Sequence, residues 1–402
     1  MSHLAELIEE LCPDGVEYRP LGEIADLQRG GGMPKKLFVD KGIPAIHYGH
    51  IFTKYGIQTK CAAAYLAPED ADKLTRVYPG DLVVANTSEN LEDVGKGVVW
   101  LGEAEGVAGG HATVVRSKKV DSVFLSYFLR TEDFALKKRK YSQGTKVVEL
   151  SAANLSKIDI PVPPLEVQRE IVRILDQFTT LEAELEAELE ARRTQYEHYR
   201  NHLLSYESLA SRGPVDMVEL GSVVTLLDSR RIPLKKGDRV SGEYPYYGAS
   251  GIVDYVDSYI FDEDLLLVSE DGANLKARTK PIAFSTSGRV WVNNHAHVLK
   301  VESPLYQKFL EEYLNSLDLE PYLVGSTQPK LNQSGLLSIP VPLPTERALE
   351  RSVLLLEKLK LFVTDFSSGL PAEIEARRAQ YEHYRDRLLS FREKAVSGSD
   401  AS

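Results

Sequence analysis

The sequence predicts an α+β protein with a pseudo-twofold internal repeat. In it, two mixed α/β domains are separated by two long antiparallel helices that form a coiled coil. The first observation is a segment, Glu190–Tyr206, that returns almost unchanged as Glu375–Phe391, 185 residues later (375 minus 190). A period this long is that of a duplicated half-protein and not of a solenoid. The second observation is that short strand-like runs, broken by Gly, Pro and Asp, precede each copy.

The segments that flank the repeated helix are duplicated as well. The halves open alike on Val16–Gly22 and Val215–Gly221, and they close on Ile-Pro-Val-Pro segments that begin at Ile160 and Ile339. Proline fixes φ and restricts the residue before it, so the closing segments are expected to be extended. The residues between opening and closing diverge. This pattern predicts one scaffold that presents two different recognition surfaces.

The composition limits which classes of protein this chain can belong to. The chain has 402 residues, of which 43% are hydrophobic and 27% are charged, and its formal net charge is −11. That charge argues against a protein that coats nucleic acid indiscriminately, but it leaves room for local basic patches. The only cysteines, Cys12 and Cys61, have no metal or redox spacing. No apolar run approaches the roughly 20 residues of a membrane helix, and no signal-peptide pattern is visible. We therefore expect a cytoplasmic protein without membrane contact.

The first domain is predicted over residues 1–165 and begins with a short amphipathic helix at residues 3–12, which Pro13 ends. A frayed helix without a role is the alternative. The second domain is predicted over residues 208–344. Within the two domains the pattern predicts strands at Pro79–Ala85, Ala112–Val115, Asp264–Val268 and Arg289–Val292, and helices at Val123–Lys140 and Leu305–Leu317.

Two long helices are predicted, a central one at residues 166–207 and a distal one at residues 345–394. Apolar residues recur every three or four positions in the central helix, so it must bury a stripe against a partner. Pairing with the distal helix is the favoured interpretation, and separate packing of each helix on its own domain is the alternative. Pro371 predicts a kink or a restart of the distal helix. The last residues, 395–402, are predicted to be a disordered tail.

These features resemble one family, the DNA-specificity subunits of type I restriction–modification systems. The resemblance covers essentially the whole chain. It is carried by Pro161–Gln168, by the two Glu-Ala-Arg-Arg-x-Gln-Tyr-Glu-His-Tyr-Arg helices and by the opening Leu11–Tyr18. Tyr244–Gly251 and Glu270–Asn274 are similar to a recurring type of target-recognition domain. One departure is Pro344-Thr-Glu-Arg, which stands in the second half where the first has Leu165-Glu-Val-Gln.

The resemblance implies a non-catalytic reader of double-stranded DNA. Each target-recognition domain would read one half of a bipartite, asymmetric site, and the helix pair would set the unread gap. Two methyltransferase subunits would dock on the chain, and restriction–translocase subunits would join them. No cofactor is expected in this chain, because S-adenosylmethionine, ATP and magnesium would belong to the partner subunits. Phosphate-binding loops, adenine-methylation motifs and dinucleotide fingerprints are absent from the sequence, as expected of a reader.

Candidate DNA-binding residues fall into three groups. Basic residues beside turns are candidates for phosphate contacts: Arg29, Lys35, Lys36, Lys96, Lys137, Lys138, Arg139 and Lys140 in the first domain, and Arg230, Arg231, Lys235, Lys236, Lys276, Arg278, Lys280 and Arg289 in the second. Each half closes on a Gly-Ser/Thr turn, which offers Gln143, Thr145 and Lys146 or Ser326, Thr327, Gln328 and Lys330. Candidates for base contacts are Asn86, Asn274, Asn294 and His295. Solvated surface charges and ordinary turns are the alternatives.

Some of these residues and features also fit other roles. His295-Ala-His297 with Asp271 could form a metal site, but a lone His-x-His on a strand is more often a packed or DNA-facing pair. The helix tyrosines, Tyr196, Tyr199, Tyr381 and Tyr384, are predicted to pack between helices or against partners. A coiled-coil adaptor that binds protein is the competing function, and a fused restriction–methylation enzyme is a third, which the missing motifs disfavour.

Overall fold

A computed structural model describes residues 2–325, 328–364 and 369–394 of the chain. The predicted tail at residues 395–402, and the candidates Ser326 and Thr327, lie outside the described residues. Within the described part, no helix combines the length and the apolar character that crossing a membrane requires.

Strands and helices alternate along both halves. The strands of the first half are β1 (Tyr18–Pro20), β2 (Ala25–Arg29), β3 (Phe38–Val39), β4 (Ile43–Ile46), β5 (Gln58–Thr59), β6 (Tyr65–Leu66), β7 (Thr75–Val77), β8 (Leu82–Ala85), β9 (Thr87–Ser88), β10 (Gly97–Trp100), β11 (Gly106–Ala108), β12 (Ala112–Ser117), β13 (Val148–Glu149) and β14 (Asp159–Pro161). Those of the second half are β15 (Val215–Glu219), β16 (Thr225–Leu226), β17 (Ser241–Gly248), β18 (Gly251–Val256), β19 (Phe261–Asp262), β20 (Leu265–Ser269), β21 (Ala283–Thr286), β22 (Arg289–Val292), β23 (Ala296–Lys300) and β24 (Pro340–Pro344).

The helices are α1 (Ser2–Leu11), α2 (Leu21–Ile24), α3 (Tyr48–Thr53), α4 (Pro68–Ala71), α5 (Ser122–Phe128), α6 (Glu132–Arg139), α7 (Ala152–Leu155), α8 (Leu165–Leu204), α9 (Tyr206–Ala210), α10 (Asn274–Ala277), α11 (Pro304–Ser316), α12 (Gln333–Leu337), α13 (Glu346–Thr364) and α14 (Leu370–Leu388). Short 3₁₀ turns cover Lys35–Leu37, Leu220–Ser222, Asp228–Arg230, Lys236–Asp238 and Glu320–Tyr322. The described residues within 1–184 and 374–402 form one compact unit, and those within 185–373 form a second.

The first unit contains two five-stranded sheets, in the orders β2-β12-β8-β10-β5 and β3-β6-β4-β11-β7. Side chains alternate across a strand, and β8 shows how this builds two cores. Val83 packs with Trp100 into a cluster shared by the two sheets. Leu82 and Val84 face the other way and pack with residues of α5 such as Phe124.

The second unit repeats the arrangement with two four-stranded sheets, β16-β23-β20-β21 and β18-β17-β22-β19. Along β20, Leu266 and Val268 pack with Phe309 of α11, whereas Leu267 joins the cluster that contains Val290. The four strands predicted from the sequence and the helix predicted over Leu305–Leu317 are therefore present, each end within three residues of its predicted position.

The duplicated openings and closings pair with each other inside each unit. Strand β1 pairs antiparallel with β14, and β15 pairs antiparallel with β24, so both Ile-Pro-Val-Pro segments are extended as predicted. The leucine that follows each opening strand is buried, and the amide of Leu21 or Leu220 donates to the carbonyl of Ile158 or Ile339. The two leucines therefore make the same kind of bond, although its acceptor opens the second closing segment and lies two residues before the first.

Helices α8 and α14 pair within the first unit. Phe178 stacks on Tyr384 with ring centroids 5.5 Å apart, and Glu182 bonds Arg378 at 2.7 Å. The order is antiparallel, because a later residue of α8 meets an earlier residue of α14. In the second unit Glu312 of α11 accepts hydrogen bonds from Tyr196 and Lys360. The helices therefore pair with each other and also pack on the sheet domains, which combines the two alternatives drawn from the sequence.

Three local features refine the predictions. The helix expected over Val123–Lys140 is two helices, because α5 ends at Phe128 and Thr131 caps α6 by accepting from the amide of Phe134. The distal helix restarts at Leu370 with Pro371 as its second residue, as the proline predicts. Helix α1 is not a frayed end, since its Leu4 is 3% exposed and belongs to the core of the first unit.

Candidate nucleic-acid interface

The two closing loops have the same construction. The backbones of Gln143 and Glu149 exchange two hydrogen bonds of 2.9 and 2.8 Å, and those of Val324 and Lys330 exchange two of 2.8 and 2.9 Å. A glycine follows the first residue of each pair and has positive φ, +99° in Gly144 and +82° in Gly325. A β-carbon added to either glycine would collide with the backbone carbonyl oxygen of the residue three positions later. The two predicted glycine turns therefore share one pair of backbone hydrogen bonds and one glycine conformation.

A second set of equivalent bonds attaches each loop to its sheet. The amide of Asn86, after β8, donates to the carbonyl of His111, and that of Glu270, after β20, donates to the carbonyl of His295. The carbonyl of Asn86 accepts from Leu150, and the carbonyl of Glu270 accepts from Leu331, both at 2.8 Å. We call the loops joined in this way the first junction, around Asn86, and the second junction, around Glu270.

The first junction brings several predicted residues together. Arg29, at the end of β2, donates to the carbonyl of Gly110 and lies 3.5 Å from the carboxylate of Glu149. Beside it, Gln143, Thr145 and Lys146 are exposed on the closing loop. Asn86 itself is 1% exposed, and its side-chain oxygen accepts from the hydroxyl of Thr113. A buried amide of this type cannot reach a base edge, so we leave Asn86 out of the proposed surface.

A histidine and tyrosine cluster that sequence reasoning missed lies next to this junction. His47 is 4.6 Å from Tyr48 and 5.3 Å from His50, and Tyr48 is 5.0 Å from His111, measured between ring centroids. Burial, followed by the charges of His50 and Lys35, lowers the pKa of His47 to about 4. The ring is therefore neutral at pH 7. The sequence feature that could have predicted this cluster is the His-Tyr-Gly-His stretch directly after a strand.

The second junction is built from charged side chains. Asp228 bonds the buried ring of His297 at 2.6 Å and the guanidinium of Arg231 at 3.1 Å. Arg231 also pairs with Glu270, which Lys330 reaches from the closing loop at 2.9 Å. Burial raises the pKa of Asp228, but the hydrogen bond from His297 and the nearby charges outweigh it, and the net shift is downward. The carboxylate is thus held ionised inside the unit.

This network bears on whether His295 and His297 could bind a metal ion together. The two histidines separate, since His297 is buried while His295 is half-exposed and bonds Asp271 at 2.9 Å. Oxygen atoms of Asp228 and Glu270 and a ring nitrogen of His297 do lie within 4.8 Å of one another. Their lone pairs are already engaged by the cationic side chains, and the other nitrogen of His297 lies 2.7 Å from the carbonyl of Leu331. The set is satisfied as an ion-pair network.

The remaining predicted residues divide between exposed turns and engaged side chains. Lys35, Lys36, Lys235 and Lys236 are exposed on 3₁₀ turns at corresponding places in the two halves, and Asn294, His295, Gln328 and Lys330 are exposed at the second junction. Most of the others bond protein groups: Lys96 with Asp93, Lys137 with Asp133, Lys138 with two carbonyls, Arg230 with Glu263, Lys276 with Glu320, Arg278 with the carbonyl of Leu317, Arg289 with Asp262, and Asn274 within its own loop. Arg139, Lys140 and Lys280 are exposed away from the junctions and the lysine turns. We therefore take the junctions and the lysine turns as the candidate surface.

Replacing Gly144 with alanine is expected to open the first closing loop. The new β-carbon would require positive φ and would collide with the carbonyl of Val147, a combined cost of about 1–3 kcal/mol. Hydrogen exchange of the amides of Gln143 and Glu149 measures the effect and should accelerate. Gly32→Ala is the matched control, because nothing lies within 4 Å of a β-carbon at Gly32. Equal exchange in both variants would contradict the role given to this glycine.

Comparison with known families follows the same division into halves. A family model described as the type I restriction modification DNA specificity domain matches residues 13–191 and again residues 213–376. The chain belongs to this family. The specificity-domain repeat therefore coincides with the sequence repeat, and one match falls on each half.

Relatives within this family extend over half or all of the chain. A type I restriction enzyme specificity subunit of Haemophilus influenzae is 33% identical over 198 residues, which are 48% of this chain and 51% of that protein. The EcoR124I/EcoR124II specificity subunit of Escherichia coli is 27% identical over 426 aligned positions, covering 97% of each chain.

Solved structures from type I restriction–modification systems share the fold. The S subunit of a type I restriction–modification system from M. genitalium has a TM-score of 0.50 at 16% identity, and the match covers 93% of this chain and 96% of that chain. A chain from a structure that addresses complex assembly and conformational transition of the type I R-M system has a TM-score of 0.60 at 16% identity, over 93% and 97%. At this identity the likeness concerns the fold.

Proposed function

We propose that this chain is the DNA-specificity subunit of a type I restriction–modification complex, in which each unit reads one half of a bipartite, asymmetric DNA site. The observation that carries the proposal is the repeated junction. One set of backbone hydrogen bonds holds the same three loops in both units, while the side chains on that frame differ. The exposed side chains at the first junction are Gln143, Thr145 and Lys146, whereas those at the second include Asn294, His295 and Gln328. A shared frame with different side chains suits two readers of different sequences.

The proposed DNA surface of each unit combines a basic turn with a closing loop. Exposed lysines at Lys35, Lys36, Lys235 and Lys236 would hold the phosphate backbone, which fixes position without reading sequence. Side chains at the junctions, such as Gln143 and Gln328, would contact base edges in the major groove. This division explains why the lysine turns occur in both halves while the junction residues differ.

The long helices would hold the complex together and would not contact the DNA bases. Helix α8 and the pair α13 and α14 are proposed to set the unread gap and to dock two methyltransferase subunits, which restriction–translocase subunits would join. The partner subunits would catalyse the reactions and would bind S-adenosylmethionine, ATP and magnesium. A coiled-coil adaptor without DNA affinity remains the competing function, and no contact in the described residues favours it.

Co-expression with a methyltransferase subunit, followed by methylation-detecting sequencing of the host DNA, tests the proposal. We expect a methylated motif in two parts with a fixed gap, because each unit supplies one reader. Replacing Gln143, Thr145 and Lys146 together with alanine should change or abolish recognition of one half-site only. Replacing Asn294 and Gln328 should act on the other half only.

Two results would contradict this function. One is the absence of any new motif when the methyltransferase is bound to the chain and active on other specificity subunits. The other is a set of junction variants that alter both halves of the motif equally, which would mean that the units do not read separately.

A further inference from the structure

A cavity of about 610 Å³ lies in the first unit, outside the junction. Its walls come from α6, the segment between α5 and α6, the loop before β10, and helices α8 and α14. The volume falls in the range of small-molecule sites, which is roughly 300–1,000 Å³. No residue of the proposed closing loops lines it.

Positive side chains dominate the walls. Three carboxylates, Glu92, Glu182 and Glu382, face six cations, which are Lys96, Arg130, Lys138, Arg139, Arg378 and Arg385. Three of the cations already have carboxylate partners. Glu182 bonds Arg378 and Asp93 bonds Lys96, each at 2.7 Å, and Asp386 lies 3.1 Å from Arg385. The surplus of positive charge therefore rests on the other cations.

Lys138 is a buried cation held by neutral groups. Its side chain is on a residue that is 3% exposed, and its ammonium donates to the carbonyls of Glu92 and Val94 at 2.9 and 2.7 Å. One of its three N–H groups is left over. Burial, and then the charge of Lys96, lowers the pKa of Lys138 to about 8. Among the described residues no carboxylate lies within ion-pair distance of it.

Arg130 is a second wall residue without a carboxylate partner within ion-pair distance among the described residues. One terminal nitrogen donates to the carbonyl of Gly56 at 2.7 Å, and its Nε is buried without a hydrogen-bond partner among the described residues. Burial lowers the pKa of Arg130, and the nearby charge of Arg385 lowers it further. A buried cation without an anion is costly, so the site gains free energy when an anion enters.

We propose that this cavity binds a small phosphate-bearing anion, with the guanidinium groups of Arg130 and Arg139 and the ammonium of Lys138 as its principal contacts. Guanidinium groups bind phosphate oxygens in pairs, and a doubly charged phosphate matches several cations better than a single carboxylate does. The ligand would touch α6 of the sheet domain and Arg385 of α14 together. Its binding would therefore strengthen the attachment of the sheet domain to α14 inside this unit.

Isothermal titration calorimetry of the full chain at constant ionic strength tests the proposal with three probes: inorganic phosphate, ATP without metal, and hexaglutamate. We expect phosphate, ATP or both to bind with a Kd of about 1 mM or below. Equal affinities would identify the phosphate group alone as the ligand chemistry, and tighter binding of ATP would identify a nucleotide. Either result supports the site.

Variants locate the binding. Arg139→Gln should weaken it about tenfold, a loss of one charged contact. Arg139 is exposed, so this change leaves folding intact, and Arg130→Gln should act in the same direction. Lys140→Gln is the matched control, because it removes the same charge from the next residue, which is exposed and lies outside the cavity wall.

Three results would overturn the site. They are no binding of phosphate or ATP up to about 10 mM, binding of hexaglutamate alone, and an equal loss in Arg139→Gln and Lys140→Gln. The second would assign the cavity to an acidic protein segment instead.

Discussion

Replacing Asp228 with alanine is expected to destabilise the second unit by about 3–5 kcal/mol, the cost of removing one partner from a buried ion-pair network. Asp228 is 7% exposed and accepts four hydrogen bonds or ion pairs. Its donors are the ring of His297, the amide of Val298, the amide group of Gln333 and the guanidinium of Arg231. Alanine leaves the buried ring of His297 and the buried amide of Val298 without this acceptor.

Urea denaturation followed by tryptophan fluorescence measures this effect unit by unit. The chain has two tryptophans, Trp100 in the first unit and Trp291 in the second. In a Trp100→Phe background the signal reports the second unit, and its midpoint should fall strongly with Asp228→Ala. In a Trp291→Phe background the midpoint of the first unit should stay unchanged.

Asp238→Ala is the control for this experiment. It removes the same carboxylate from an exposed 3₁₀ turn ten residues along the chain, and it should change stability by no more than about 0.5 kcal/mol. A loss below about 1 kcal/mol in Asp228→Ala would contradict the network, since a single ordinary hydrogen bond already contributes that much.

Removing the four turn lysines, Lys35, Lys36, Lys235 and Lys236, is expected to have the largest effect on DNA binding. Each phosphate contact contributes about 0.9 to the slope of log affinity against log salt concentration. Loss of four contacts should therefore flatten the slope by about 3–4 and weaken binding roughly 100-fold at moderate salt. Fluorescence anisotropy of the chain with its methyltransferase partner, on DNA that carries the motif and across a salt series, measures both quantities.

A second set of four lysines provides the control for charge. Lys60, Lys119, Lys157 and Lys358 are exposed and belong to neither lysine turn, so their replacement changes the net charge equally. We expect that variant to keep most of the slope. If both sets flatten the slope alike, the turns are not a specific phosphate surface. Arg231 is a poorer probe, since its side chain is 11% exposed and its loss would disturb the network around Asp228.

Much of the architecture could be predicted because it rests on local rules. The Ile-Pro-Val-Pro segments are extended because proline restricts the backbone, and both pair with the opening strands of their halves. The closing glycines, Gly144 and Gly325, have positive φ, which a Gly turn makes available. Pro371 stands in the first turn of α14, where its missing N–H costs nothing. In each case the residue type itself limits the conformation.

The charge and polarity of a residue alone predicted the DNA-contact candidates less well than local rules predicted the fold. Asn86, Arg231 and Lys138 are polar residues beside turns, and the sequence made all three candidates for DNA contact. The structure buries them, with Asn86 bonded to Thr113, Arg231 to Asp228 and Glu270, and Lys138 to two carbonyls. A side chain's exposure depends on what packs over it, and those neighbours come from distant parts of the chain.

The sequence by itself determined the duplicated frame, the extended closings, the glycine loops and the family. Only the tertiary structure decided where the repeated helices pack. The central copy bonds Glu312 of the second unit through Tyr196, and the distal copy packs Tyr384 on Phe178 in the first. It also placed the histidine cluster, the network around Asp228 and the cationic cavity. The physical reason is that local patterns restrict each backbone segment, whereas contacts between segments far apart in the chain form only when the whole core is packed.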